Sequence, residues 1–303
     1  MIKRTLYFST PVYLTFENEQ LKASIQGEGG KDFRSFPLED IGLVIVENLQ
    51  STTSNYLISK FAEYKIAFVV CGTDHMPNFI GLPLHGNTLI GERSKVQLKA
   101  SLPVKKNIWQ QIIRSKLQNQ SIVLNRIRNH ADFLKIHTLS KSVLSGDSDN
   151  KEGRAAAIYW RSLFGATFIR DHKQEGINSA LNFGYAIIRG AVARAIVGAG
   201  LLPILGVHHK NKYNAFPLAD DLIEPFRPVV DLIVYEHFLE NGFDFALTKD
   251  LKSKLLLCLT IDVRINDSLS PLWNSIQQTV NSLFKIYNME SRLLEVPTIL
   301  NDT

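Results

Sequence analysis

Two histidines and two acids lie close together in this chain, in Gly206-Val207-His208-His209 and in Asp221-Leu222-Ile223-Glu224-Pro225-Phe226-Arg227-Pro228. Together these residue types suit one divalent cation. Carboxylate oxygens favour Mg²⁺ or Mn²⁺, and an imidazole among them tilts the choice towards Mn²⁺. Tyr213, Phe216 and Pro217 lie in the connector, which can fold back on itself. Asp221 and Glu224 are three positions apart, so a helix would set them on one face. A third carboxylate would complete the set, and Glu152 in Lys151-Glu152-Gly153-Arg154 is the candidate, opening a helix-like segment after the polar loop 145–150. First-turn glutamates are also common for a plain reason, the helix dipole. Spacing alone leaves both readings of Glu152 open.

Such a site needs elements that bring distant segments together. From about residue 2 to 85 the chain alternates β-branched or aromatic runs with turn residues, at 5–8, 12–16, 21–25, 41–46 and 67–70. These predict strands. Leu57, Ile58, Phe61 and Ala62 fall at helical spacing within 54–64, which predicts one helix on the sheet. From about residue 92 apolar residues recur every three or four positions, with a break near Pro103, so this part is expected to be helical. Further helices are expected over 152–169, 177–199, 221–241, 251–259 and 269–287. The segment 81–91 holds three glycines and a proline and reads as a hinge. The expected fold class is α+β: a small β-rich N-terminal domain, 1–85, followed by a larger all-α C-terminal domain, 86–303.

A chain of 303 residues is larger than one hydrophobic core usually fills, which supports two domains. The 45 % hydrophobic and 21 % charged residues are ordinary for a globular protein. An excess of 34 basic over 29 acidic residues gives +5, and the pI is about 9.1, which leans towards a polyanionic partner. Cys71 and Cys258 each sit in an apolar run and read as buried thiols, as in a reducing cytoplasm. The N-terminus lacks the apolar core of a signal peptide, and no run approaches the ~18 apolar residues of a membrane span. Segment 177–199 carries a small-residue stripe (Ala180, Gly184, Ala186, Gly190, Ala193) but is interrupted by Asn182, Arg189 and Arg194, so it reads as a central packing helix. The expected location is cytoplasmic.

Glu152-Gly153-Arg154-Ala155-Ala156, Asn178-Ser179-Ala180-Leu181-Asn182-Phe183-Gly184-Tyr185, Gly206-Val207-His208-His209 and the Asp221-to-Pro228 segment together resemble the CRISPR-associated adaptation integrase. This is the endonuclease subunit (Cas-one) that inserts new spacers. The order of elements agrees over nearly the whole chain, and the DLIEPFRP segment resembles the branch that accompanies the large RNA-guided effector nuclease. The resemblance implies a metal-dependent DNA endonuclease and integrase. It would join the 3′-hydroxyl ends of captured DNA to the repeat of a CRISPR array by transesterification, with water as the nucleophile for nicking. Carried onto this sequence, the catalytic, metal-binding triad falls on Glu152, His209 and Glu224, with Asp221 as an additional acidic metal position and Mg²⁺ or Mn²⁺ as cofactor. The family register is a glycine, two variable residues, then the histidine, which selects His209 over His208. Implied partners are DNA (protospacer and CRISPR repeat), a second copy in a homodimer formed largely through the β-rich domain, and the small ferredoxin-like adaptation protein (Cas-two). No membrane is implied.

The chemistry is coherent, because phosphoryl transfer asks for charge neutralisation more than covalent help. Arg227 could steady a carboxylate or touch a phosphate; a structural ion pair explains it equally well. Asn182 and Tyr185 could orient ligands, although a buried tyrosine more commonly bonds to a backbone carbonyl. Lys95, Lys99, Lys105, Lys106, Arg114, Lys116, Arg126 and Arg128 crowd the start of the helical part, where they could neutralise phosphates or form a solvated face. Trp109, Trp160 and Trp273 read as core residues. His75, His85, His130, His137, His172 and His237 lack metal-like spacing. Two other functions fit less well. A catalytically silent DNA-binding scaffold of the same complex would not need the acids, and a nucleotide phosphohydrolase would want a Gly-rich phosphate cradle.

Overall fold

Strands β1 (Arg4–Phe8), β2 (Val12–Glu17) and β3 (Gln20–Ile25) form where apolar residues alternate, as expected. They are joined by β4 (Phe33–Pro37), β5 (Ile41–Val46), β6 (Thr52–Thr53), β7 (Ala67–Cys71) and β8 (Pro77–Gly81). This computed structural model describes residues 3–25, 33–84, 86–171, 173–209, 211–242 and 246–300. His85, His172 and the terminal residues 301–303, expected to be frayed, lie outside the described residues.

Two four-stranded sheets result, ordered β1-β5-β7-β8 and β4-β3-β2-β6. In the first, β1, β5 and β7 run parallel and β8 is antiparallel. All six residues of β5 are buried, which is what a continuous apolar run becomes when both faces of a strand are covered. Ile41, Val44 and Val46 join a small core with Leu14, Leu57 and Phe61, while Leu43 and Ile45 join the large core of the helical part. Helix α1 (Asn55–Glu63) closes the small core; Ser54 caps it by accepting from the Leu57 N–H at 3.2 Å. β4, β6 and β8 escaped the sequence reading. β4 is largely exposed and lacks apolar alternation, and β6 has only two residues.

Nine further helices follow among the described residues: α2 (Ile90–Lys99), α3 (Leu102–Arg126), α4 (His130–Lys141), α5 (Lys151–Phe164), α6 (Ile177–Gly198), α7 (Pro217–Leu222), α8 (Arg227–Asn241), α9 (Lys249–Leu256) and α10 (Leu272–Tyr287). The helical pattern does break near Pro103, between α2 and α3, and the proline lies in the first turn of α3, where its missing N–H has no intrahelical partner to lose. α5 stops short of residue 169 because Gly165 turns the chain at φ +88°. Asp221 and Glu224 do not share a continuous helix, since a 3-10 turn, Glu224–Phe226, separates α7 from α8.

The helical part also holds a small sheet that the sequence did not announce: β9 (Asp262–Ile265), β10 (Ser268–Pro271) and β11 (Thr298–Ile299), all antiparallel in the order β10-β9-β11. Asn266 and Asp267, both at positive φ, make its tight turn. α6 is long and apolar enough to cross a membrane, yet 72 % of that stretch is buried inside the fold. Its small-residue stripe permits close packing: a Cβ on Gly184 would stand 2.4 Å from Val230 Cγ1 of α8. Cys71 and Cys258 are buried and unpaired, and burial pushes each thiol up to about 12.

Candidate active site

The turn carrying the histidines is built around one buried carboxylate. Asp221 has no exposed surface, and it accepts from the backbone N–H groups of Val207 (2.5 Å), His208 (3.0 Å) and His209 (3.1 Å). His209 Nδ1 lies 2.6 Å from Asp221 Oδ1. Because a carboxylate only accepts, the ring donates from Nδ1, and in the neutral imidazole Nε2 carries the lone pair. That hydrogen bond, with the charge of Asp221, holds the His209 pKa above its ordinary value against the opposing effect of burial. Gly206 is required for the turn, since a Cβ there would meet the His209 carbonyl at 2.6 Å and Asp221 Oδ2 at 3.1 Å. Asp221, expected among the metal's own ligands, therefore has both oxygens engaged in shaping the turn and orienting His209.

Trp109 of α3 forms the floor. Its indole stacks on His208, with centroids 4.1 Å apart and planes 3° from parallel, and meets His209 edge-on at 5.7 Å. It is a core residue, as expected, and it also fixes both imidazoles.

Glu152 sits in the first turn of α5, but capping falls to its neighbours. Asp147 accepts from the N–H groups of Lys151 and Glu152 at 2.8 and 3.1 Å, and Asn150 accepts from Gly153. The Glu152 carboxylate is thereby free to meet the Lys116 ammonium, Oε1 to Nζ, at 2.6 Å. The same ammonium lies 2.5 Å from Glu224 Oε2. Arg227 Nη2 holds the other oxygen, Oε1, at 3.0 Å, which makes Arg227 the carboxylate's anchor. Burial alone would push the Glu224 carboxyl up, but Arg227 and Lys116 outweigh it and hold it below the usual range. Burial likewise opposes the Lys116 charge, and Glu224 and Glu152 more than offset that. Two acids far apart in sequence thus converge on one cation, with His209 close enough that its charge bears on Glu224.

Comparison with known proteins decides the family. Residues 6–249 match the family described as CRISPR associated protein Cas1. The CRISPR-associated endonuclease Cas1 of Neisseria meningitidis serogroup C (strain 8013) is 34 % identical over 301 residues, covering 99 % of this chain and 97 % of that protein. The chain belongs to the Cas1 family. Among solved structures, a casposase bound to integration product superposes with a TM-score of 0.77 at 19 % identity, over 97 % of this chain and 92 % of that one. A Cas1 protein from Thermotoga maritima gives 0.76 at 16 %, over 94 % and 97 %. These two likenesses concern the Cas1 fold.

Whether the Cas1 residues here suit a divalent ion can be tested on their chemistry. Glu224 Oε2 is buried, and the Lys116 ammonium 2.5 Å away is the cation that it faces. Such an oxygen is fitted to a cation. Glu152 offers a second oxygen to the same point, and His209 keeps Nε2 available. Among the described residues no three acids or imidazoles already form a cage, and the Lys116 nitrogen stands between the glutamates. The donor set fits.

Three contributors were missed or misread. Lys116 was grouped with the DNA-facing basic residues, but its side chain is only 12 % exposed and points inward. Its position on the buried face of α3, among Ile112, Ile113 and Leu117, was the available signal. Asn119, one turn on, donates to the carbonyls of Pro225 (2.8 Å) and Pro297 (3.0 Å), pinning the turn that holds Glu224. Asp231 receives the hydroxyls of Tyr185 and Tyr159, so Tyr185 points to this acid and not to the ligands. Asn182 receives Arg170.

Proposed function

We propose that this chain is the metal-dependent DNA endonuclease and integrase of CRISPR adaptation, of the branch accompanying the large RNA-guided effector nuclease. Glu152, His209 and Glu224 hold Mg²⁺ or Mn²⁺, and Asp221 keeps His209 in the tautomer that presents Nε2. When bound, the ion polarises the scissile phosphate and steadies the leaving oxyanion. Glu152 and Glu224 supply the negative charge that retains it, Arg227 fixes the rotamer of Glu224, and Trp109 sets the plane of the imidazoles. A 3′-hydroxyl of captured DNA attacks phosphorus at the repeat; one P–O bond forms, one breaks, and the proton leaves with the displaced 3′-oxygen. With water as nucleophile the same site nicks DNA.

The convergence of Glu152 and Glu224 on one ammonium, in reach of an imidazole oriented by Asp221, carries this reading. The structural relatives support it, since one is a casposase bound to integration product and another a Cas6-RT-Cas1–Cas2 complex. That likeness supports DNA and the small ferredoxin-like adaptation protein, Cas2, as partners; a second copy of the chain, in a homodimer, is what the sequence resemblance alone implies.

The test is half-site integration with that protein and a labelled duplex. Glu152→Ala, His209→Ala and Glu224→Ala should each reduce strand transfer by about 10²–10³-fold, the scale of losing one group that stabilises transition-state charge. Joining that persists at wild-type rates in folded variants would overturn the assignment of these three residues, whereas a wild-type chain that binds the duplex but neither joins nor nicks it would be a silent DNA-binding scaffold.

A further inference from the structure

We propose that Lys116 is the resident counter-cation of the site, exchanging with the divalent ion and so setting the concentration at which the ion enters. The inference rests on the metal reading above and concerns a residue to which that reading gives no role.

Lys116 Nζ lies 2.6 Å from Glu152 Oε1 and 2.5 Å from Glu224 Oε2, while Arg227 occupies the remaining Glu224 oxygen. An ammonium in that position neutralises two acids that would otherwise repel each other in a poorly solvated place. Mg²⁺ binds oxygen at about 2.0–2.1 Å, so an ion taking the same two oxygens would overlap the nitrogen. One cation must leave for the other to bind. α3 itself is held in place: Gln111 bonds to the Arg292 carbonyl and the Leu294 N–H, and Asn119 to the Pro225 and Pro297 carbonyls and the Ile299 N–H. The exchange therefore falls to the flexible four-carbon stem of the lysine. At 12 % exposure that side chain is shielded from solvent yet has a path to it.

The geometry assigns Lys116 a competitor's role, distinct from that of Arg227. Arg227 holds an outer oxygen of one glutamate and stacks over Tyr185 at 4.6 Å, so it can stay in place. Lys116 occupies the point where both glutamates meet.

Two measurements test this without reference to catalysis. Calorimetry with Mn²⁺ alone should find that Lys116→Met binds at least about tenfold more tightly than wild type, about 1.4 kcal/mol. In the wild-type chain, acetylation by an amine-reactive reagent, read by peptide mass spectrometry, should be slow at Lys116 without metal. It should rise several-fold at saturating Mn²⁺ and fall again with chelator. A lysine that is merely nearby would pass the affinity test but not the labelling test, so unchanged labelling overturns the proposal. If Lys116→Met does not fold, labelling of the wild type decides alone. Glu152→Gln and Glu224→Gln separate the two possible failures. If wild type has no Mn²⁺ site that these substitutions remove, the metal reading falls and this inference with it. If they remove the site while Lys116 stays protected at saturation, only the inference falls.

Discussion

At the scale of single residues, Asp221 carries the largest structural burden in the site. It accepts three backbone N–H groups and one imidazole with no exposure to water. Asp221→Ala would strand those donors, and breaking a buried charged network of this kind costs about 3–5 kcal/mol. Urea unfolding should show that loss, and a variant as stable as wild type would mean the turn does not depend on this carboxylate. The raised pKa of His209 fixes the sign of its pH dependence. Stability from the His209–Asp221 pair is fully present below the unfolded histidine value, about 6.5, and is lost as pH rises through the raised folded value. The acids and imidazoles around 206–224 stood out by type and spacing, but Glu152, and His209 over His208, could be picked out only through the family resemblance. Lys116 did not stand out, since its partners lie on other segments and nothing local to α3 names them.

At the scale of elements, close approach decides more than propensity. Replacing Gly184 by alanine gains about 1 kcal/mol of helix propensity, but the new Cβ would stand 2.4 Å from Val230 Cγ1. Overpacking costs about 1–3 kcal/mol, so Gly184→Ala is expected to be net destabilising, and Gly184→Ala with Val230→Ala should recover stability. Thermal melts of the single and paired variants give the comparison; a single variant that melts higher than wild type refutes the close contact.

In α8, burial raises the Asp231 carboxyl to about 6, although hydrogen bonds from Tyr185 and Tyr159 favour its charged form. Between about pH 4 and 6 the folded state keeps a proton that the unfolded chain has released, so stability falls as pH rises through that window and then levels. About two pKa units correspond to about 3 kcal/mol. The stability cost of Asp231→Asn should therefore shrink by about that amount between pH 4 and pH 7; parallel pH profiles for variant and wild type would contradict it. The apolar period announced α3, α6 and α10, whereas β9 fell in a gap between helical patterns and most of β10 lay inside the helix expected from residue 269, because a short, half-exposed hairpin leaves little periodicity to read.

At the scale of the molecule, the β-rich and helical parts are joined by buried charge as well as by shared core. Glu47, just beyond β5, receives the Lys252 ammonium of α9 and the Tyr7 hydroxyl, and both partners of the ion pair are under 9 % exposed. Burial pushes Glu47 up, but Lys252 and Tyr7 more than reverse it. Lys252→Met should cost about 3 kcal/mol by leaving Glu47 only the Tyr7 hydroxyl and the exposed His75 ring 3.1 Å away, while Glu47→Gln with Lys252→Met should cost clearly less. Chemical denaturation of the pair of variants checks this, and equal costs would show that the interaction is not shared. The α+β order of the chain was legible because the apolar period changes near residue 90. The join between the two parts was not, since Glu47 and Lys252 belong to segments that meet only once folded.

One helix, finally, sets the spatial phase of the whole candidate site. Trp109, Lys116 and Asn119 lie along a single stripe of α3 and touch, in turn, the histidines, the paired glutamates and the turn after Glu224. None of the three is an acid or an imidazole. A graft of this cluster onto a foreign scaffold that copied only the acids and imidazoles would lose their alignment; the stripe has to travel with them as the template.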